Sequence, residues 1–228
     1  EKLEIKKPYL TLVDGSVVYQ KFPDKEHAAI VNAANEALLG GGGVDGAIWG
    51  EVGEPTGPVE KGVTPGQFKS QCLVLRRKKA QLADGAKNRY RGDTDSFDVG
   101  DEKSYVAGEA GLTKAFGKLA DSVGYVVHAV GPRGTDTQDK LDKLRDAYKN
   151  SLDRANEAGL KVIAFCGISI GLFGGNIDLA SPVAIKAIVD WVKDHPASTL
   201  DEIRLVTYFG NSNEYPTYKT KLAAEGNI

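Results

Sequence analysis

The 228-residue sequence predicts an α/β fold with parallel strands whose carboxyl ends carry glycine-rich loops. Two apolar runs, Ala28–Val31 and Lys161–Phe165, each lead into such a loop, Gly40–Gly43 and Gly167–Gly174. Between the apolar runs Tyr125–Val130 and Lys161–Phe165 lies an amphipathic segment, 139–159. In it Leu141, Leu144, Ala147, Tyr148, Leu152 and Ala155 recur at helical spacing. A helix joining two strands implies a parallel crossover. A hydrophobic content of 41% is enough for a core.

Taken in order, Tyr9–Val13 and Val17–Tyr19 are apolar or alternating, with Asp14-Gly15 as a turn signal between them. They predict either a hairpin or one bulged opening strand. Ala28–Val31 is the next strand, followed by Asn32 and Asn35, the four glycines, and Val44-Asp45-Gly46-Ala47-Ile48, which starts a helix. Strand, glycine run and helix N-terminus together make an anion cradle: glycine lets backbone approach a ligand, and unpaired N–H groups plus the helix dipole favour phosphate. No Gly-Lys-Ser/Thr follows, so this is not a Walker loop, and the spacing is not GxGxxG. A flexible turn is the plain alternative for four glycines taken alone.

Residues 51–100 are rich in Gly, Pro and charge, and only Phe68–Leu75 looks able to pack. This predicts a single domain, 1–228, with an insertion at about 55–100 containing a short strand or helix and a mobile tip. The basic tetrad Arg76–Lys79 within it is a candidate phosphate contact; a solvated face is the commoner fate of such a run. Farther on, Gly159 suits a helix C′ position and Lys161–Phe165 a central strand. Ser181-Pro182 predicts a helix start with Ser as N-cap, the helix running to about Asp194 and ending at His195-Pro196. Ile203–Phe209 is the last strand and Tyr215–Ala224 a closing helix.

The net charge of −2 offers no global field for nucleic acid or anionic membrane. No apolar run approaches the roughly 20 residues of a membrane span. Cys72 and Cys166 are spaced for neither disulfide nor zinc, which suits a reducing compartment. No signal peptide is read at the start, and an intracellular location, cytoplasmic or nuclear, is expected. His27, His128 and His195 lack zinc spacing, so neither metal nor cofactor is expected. His128, mid-strand between apolar neighbours, is expected to be a hydrogen-bonded core histidine.

The string from Ala28 to Gly50, with Asn-Ala-Ala-Asn before the glycines and Val-Asp-Gly-Ala-Ile after them, resembles the signature of macrodomains, the family that binds ADP-ribose, and within it the MacroD-type branch. Val106–Ala110, Tyr125–Pro132 with its final Val-Gly-Pro, and Cys166–Gly174 resemble further segments of the same family. The resemblance covers most of the chain outside Glu51–Gly100. It implies a three-layer α/β/α sandwich with a mixed six- or seven-stranded sheet and ADP-ribose in a crevice at the strands' carboxyl ends. By the same resemblance Asn35 and Asp45 lie at the distal ribose, with Asn32 at the strand end beside them. Gly41, Gly42, Gly43 and Val44 embrace the diphosphate from one side. Ser169, Ile170, Gly171, Leu172, Phe173 and Gly174 wrap it from the other, Phe173 covering the distal ribose. Phe209 and Asn211 fall where the family places an aromatic against adenine, a core aromatic being the alternative for Phe209.

The sequence departs from the family at three places. Where macrodomains carry Gly-Asp-Ile/Leu, whose aspartate holds the adenine amino group, this chain reads Asp14-Gly15-Ser16-Val17, so Asp14 or Ser16 takes the role or Asp14 is an ordinary turn residue. Trp49 stands where many MacroD-type hydrolases have a histidine, and Ile170 replaces a threonine of the second loop. The implied activity is hydrolysis of ADP-ribose adducts on Asp or Glu of proteins, or of O-acetyl-ADP-ribose. Asn35 orients a ribose hydroxyl and Asp45 accepts a proton from water. The partner is ADP-ribose or an ADP-ribosylated protein. Alternatives are a non-catalytic reader, a phosphatase acting on ADP-ribose-1″-phosphate, and a nucleic-acid module using Arg76–Lys79.

Overall fold

The structure, a computed structural model, describes residues 2–3, 8–83 and 105–225. Seven strands form one mixed sheet in the order β1-β2-β7-β6-β3-β5-β4. They are β1 (Lys2–Leu3), β2 (Tyr9–Gly15), β3 (Ala28–Ala34), β4 (Ala110–Lys114), β5 (Tyr125–Val130), β6 (Val162–Phe165) and β7 (Glu202–Tyr208). The five central strands are parallel, and β1 and β4 close the edges antiparallel.

Helices cover both faces, giving the α/β/α sandwich. Alternation along β3 sorts the two cores: Ala29 and Val31 face one way, Ala28, Ile30 and Ala34 the other. The first face is covered by α3 (Gln138–Glu157), α4 (Ile177–Asp194) and α5 (Glu214–Glu225), through Leu144, Tyr148, Ile185, Ile188, Trp191 and Tyr218. The second is covered by α1 (Gly43–Val52), α2 (Gln67–Ala83) and two 3-10 turns, through Val17, Val18, Ile48, Trp49, Phe68 and Cys72.

Two local expectations are revised and a third is sharpened. Val17–Tyr19 is a 3-10 turn, neither a hairpin arm nor part of a bulged strand, because β2 pairs in parallel with β7 throughout and Val17 and Val18 drop into the second core. Helix α4 starts one turn and more before Ser181: Asn176 is its N-cap, its Oδ1 accepting from the Asp178 N–H at 2.8 Å. Pro182 lies inside the helix, and Ser181 is buried. In the region read as an insertion, a 17-residue helix forms, and Phe68 and Cys72 are fully buried against the sheet. The tip of that region, and the side chains of Arg77, Lys78 and Lys79, lie outside the described residues.

Candidate functional site

The carboxyl ends of β2, β7, β6 and β3 stand side by side, and a cavity of about 560 Å³ opens over them. Four strand-to-helix connections wall it. Parallel strands bring their carboxyl ends to the same edge, so each following loop adds to the same crevice.

The first loop is held by Asn35. Its Oδ1 accepts from the Ala37 N–H at 3.0 Å, and its Nδ2 donates to the Gly40 carbonyl at 2.9 Å. Buried Leu38 and Gly40 adopt left-handed backbone, φ 56 and 86. Gly42 then caps α1 with no side chain of its own, so the first N–H groups of the helix have no carbonyl ahead of them. The second loop hangs from the end of β5. Ser169, left-handed at φ 69, donates its hydroxyl to the Pro132 carbonyl at 2.7 Å. The Gly134 N–H donates to the Phe173 carbonyl at 2.7 Å, and the Arg133 guanidinium lies 4.3 Å over the Phe173 ring. Among the described residues, no group accepts from the N–H groups of Ile170 to Phe173. The two loops touch at the rim: a Cβ on Gly42 would stand 2.7 Å from Leu172 Cδ1.

At the β3 end sits Asp45, 3% exposed, in the first turn of α1. Its Oδ1 accepts from Asn32 Nδ2 at 2.8 Å, while Oδ2 has no partner among the described residues. Oδ2 and Asn35 Nδ2 converge, each 3.1 Å from where a Cβ on Gly41 would stand. Burial pushes the Asp45 carboxyl up to about 6; the Asn32 hydrogen bond opposes this, as does the nearby Trp49 indole, although Trp49 Nε1 makes no hydrogen bond of normal geometry.

Asn32 is held in turn from below. It pairs in register with His128 of β5, and its Nδ2 lies 3.3 Å from His128 Nδ1. His128 Nε2 is 3.0 Å from Thr113 Oγ1 and 3.7 Å from Cys72 Sγ. Burial pulls His128 down to about 3, so the ring is neutral. Because Asn32 Nδ2 is the donor, Nδ1 accepts and Nε2 carries the proton toward Thr113. His128 is thus the hydrogen-bonded core histidine that its sequence neighbours suggest.

At the opposite end, where β6, β7 and β2 finish, a second carboxyl faces the cavity. Glu214, the first residue of α5, is 4% exposed. Burial pushes it up to about 7, opposed by the Tyr208 backbone N–H and assisted by the charge of Asp14.

Of the residues singled out in the sequence, Ser16, Asn35, Gly41, Gly42, Gly43, Val44, Asp45, Ser169, Ile170, Gly171, Leu172, Phe173 and Asn211 line the cavity. Four do not. Asn32 stands behind Asp45; Gly174, at φ 69, closes the second loop from outside. Asp14 is exposed and accepts from Thr207 Oγ1 at 3.3 Å. Phe209 is 64% exposed, tilted against Tyr208 at 5.1 Å. Glu214 and Tyr208 line the cavity without having been singled out. An acidic residue opening a helix reads as an ordinary partner of the helix dipole, and no motif marked Glu214 as inward-facing. Arg76 Nη1 reaches the Ala37 carbonyl of the first loop at 3.4 Å. No three His, Cys, Asp or Glu side chains gather as a metal site among the described residues, and no helix there is long and apolar enough to cross a membrane.

Comparison with known proteins places this geometry among relatives. The family model described as Macro domain matches residues 96–184. A macro domain-containing protein of Caldanaerobacter subterraneus subsp. tengcongensis is 32% identical over 215 residues, covering 93% of this chain and 94% of that protein. Another from Listeria monocytogenes is 34% identical over 200 residues, covering 87% and 89%. Among solved structures, a Gly-to-Val variant of the Oceanobacillus iheyensis macrodomain with ADPR superposes with a TM-score of 0.72 at 26% identity, covering 100% of this chain and 99% of that one. The Trypanosoma brucei macrodomain in complex with ADP-ribose gives 0.64 at 28% identity, covering 93% and 68%.

Proposed function

The chain belongs to the macro domain family, and from that membership we propose that its cavity binds ADP-ribose and that the protein hydrolyses ADP-ribose adducts at the distal ribose. The macrodomains of Oceanobacillus iheyensis and Trypanosoma brucei that share its fold hold ADPR and ADP-ribose. The glycine string running into Val44-Asp45-Gly46-Ala47-Ile48 supports placing it in the MacroD-type branch.

The diphosphate lies between the two loops, met by backbone N–H groups and the N-terminus of α1 with no lysine. The distal ribose reaches the β3 end. There Asn35 orients a ribose hydroxyl, and Asp45 orients water and takes its proton as water attacks the ester. The substrate is mono-ADP-ribosyl-Asp or -Glu on a protein, or O-acetyl-ADP-ribose.

The observation that carries this reading is Asp45: a buried carboxyl with one oxygen fixed by Asn32, the other without a partner among the described residues, and an affinity for protons close to neutral. A general base works best with its pKa near the operating pH. Release of ADP-ribose from an aspartyl- or glutamyl-ADP-ribosylated protein, and of acetate from O-acetyl-ADP-ribose, tests it. The expected result is turnover by the wild type and at least a hundredfold loss in Asp45→Ala, with ADP-ribose binding largely kept.

One observation favours a reader that binds without turnover. Trp49, on α1 one turn past Asp45, is 1% exposed and packs edge-on against Phe68 at 5.1 Å, so no side chain at that place exchanges protons. Tight ADP-ribose binding with no release from either substrate establishes the reader.

A further inference from the structure

The cavity has two buried carboxyls, and only Asp45 has a part in hydrolysis. Glu214 stands over other strands than Asp45 does. The cavity crosses the ends of four neighbouring strands in the order β2, β7, β6, β3. Neighbouring strands stand about 4.8 Å apart, so the β6 and β7 ends lie about 5–10 Å from the β3 end. Asp45 follows β3. The Glu214 carboxyl is anchored over β6 and β7: a Cβ on Gly167 would stand 2.8 Å from Glu214 Oε1, and the Tyr208 N–H faces the carboxyl. The same cavity wall carries Val17, Val18, Val206 and Tyr208, apolar surface that suits a flat ring.

With the distal ribose at the β3 end and the diphosphate between the loops, the base of the ligand falls at the Glu214 end. The residue expected to hold an adenine amino group there is not available in the usual way. Asp14 is exposed and off the cavity wall, and Ser16, which does line the wall, carries no carboxylate. We infer that Glu214 is the specificity-determining residue of the base end, its side-chain oxygen accepting a hydrogen bond from the exocyclic amino group of adenine. The inference rests on the proposed binding of ADP-ribose and moves base recognition from the loop after β2 to the first turn of α5.

Burial gives the contact its selectivity. A carboxyl buried in the cavity wall strongly favours a ligand that brings a donor to it, and loses that preference when the donor is removed. An apolar replacement at 214 leaves no buried acceptor to satisfy, so it treats both ligands alike.

The test is a two-by-two titration by calorimetry at neutral pH: wild type and Glu214→Leu, each with ADP-ribose and with its 6-desamino purine analogue. The wild type is expected to bind ADP-ribose at least tenfold more tightly than the analogue, and Glu214→Leu to bind the two within about twofold. Asp14→Asn is expected to keep the wild-type ratio. A wild-type ratio near one, a ratio that survives Glu214→Leu, or a ratio lost in Asp14→Asn overturns the inference while leaving ADP-ribose binding intact. A wild type that binds neither compound overturns the ADP-ribose reading itself, and this inference with it. Should Glu214→Leu fail to fold, the N6,N6-dimethyl analogue offered to the wild type decides: binding as tight as that of ADP-ribose shows that no amino hydrogen is accepted.

Discussion

Asp45 is held in a protonation state that the fold itself disfavours at neutral pH. Its carboxyl ionises near 4 in an unfolded chain and near 6 here, so the native state binds the extra proton between those values. A carboxyl raised on folding destabilises the native state as pH climbs through that window, and the loss is complete above about 6. At about 1.4 kcal/mol per pKa unit the shift corresponds to roughly 3 kcal/mol. Asp45→Asn removes the charge while keeping an oxygen for Asn32. The variant is therefore expected to melt several degrees above the wild type at pH 8 and at nearly the same temperature at pH 4, read by circular dichroism. Turnover follows the opposite logic: the base must be ionised, so the wild-type rate climbs as pH rises through about 6 and then levels. A rate that falls across that range removes Asp45 from the role of base. Beneath it, the neutral His128 ring sets the orientation of Asn32 and so of the carboxylate. Replacing His128 by Leu strands the Asn32 N–H and Thr113 hydroxyl. A cost of about 1–3 kcal/mol in stability is expected from urea titration, accompanied by a drop in turnover larger than the change in KM.

Among the elements, the glycine run before α1 contains positions of unequal tolerance. A Cβ on Gly46 would stand 2.7 Å from the Gly41 carbonyl oxygen, a backbone atom that moves only with the whole loop. A Cβ on Gly42 would meet the tip of Leu172 at the same distance, but that side chain is 76% exposed and free to swing away. Gly46→Ala is expected to weaken ADP-ribose binding at least tenfold with little change in melting temperature, because alanine is the better helix former by about 1 kcal/mol. Gly42→Ala is expected to stay within about threefold of wild type. Equal effects in a titration of the two variants contradict this account of the loop. The same elements show which features could be read from sequence. Strand β3, the glycine run and helix α3 carry their structure in local periodicity and turn chemistry, and they lie where the pattern put them. Val17–Tyr19 was opaque because a three-residue apolar stretch has no period, and only the parallel β2–β7 pairing decides that it turns inward. Ser181-Pro182 is a sound start signal overridden upstream, where Asn176 both caps α4 and donates its N–H to Thr135. The type and length of α2 stayed open within a charged stretch, since its buried contacts Phe68 and Cys72 meet His128 and Trp49, which are distant in sequence. Glu214 was hidden for the same reason: its burial is made by Gly167 and the end of β7.

Over the whole molecule, the cavity is assembled from both ends of the chain. The β2 and β7 connections come from residues about two hundred positions apart, and the β3 and β6 connections fill the other half. A ligand that spans all four clamps segments that otherwise meet only through the sheet, so its effect on stability measures how much of the crevice it occupies. Ligand at a hundred times its dissociation constant stabilises the native state by about 2.7 kcal/mol. For a chain of this size each kcal/mol is worth about 2–4 °C, giving a rise of about 5–10 °C with ADP-ribose. AMP reaches only the base end and the first phosphate, and ADP adds the second phosphate without the ribose that faces Asn35 and Asp45. At one fixed concentration the thermal shift is thus expected to increase from AMP to ADP to ADP-ribose, the last step largely kept in Asp45→Ala and the whole series shrinking in Gly46→Ala. A shift with AMP equal to that with ADP-ribose confines binding to the β2–β7 end and separates the β3 end, with its carboxyl and amide, from any role in recognition.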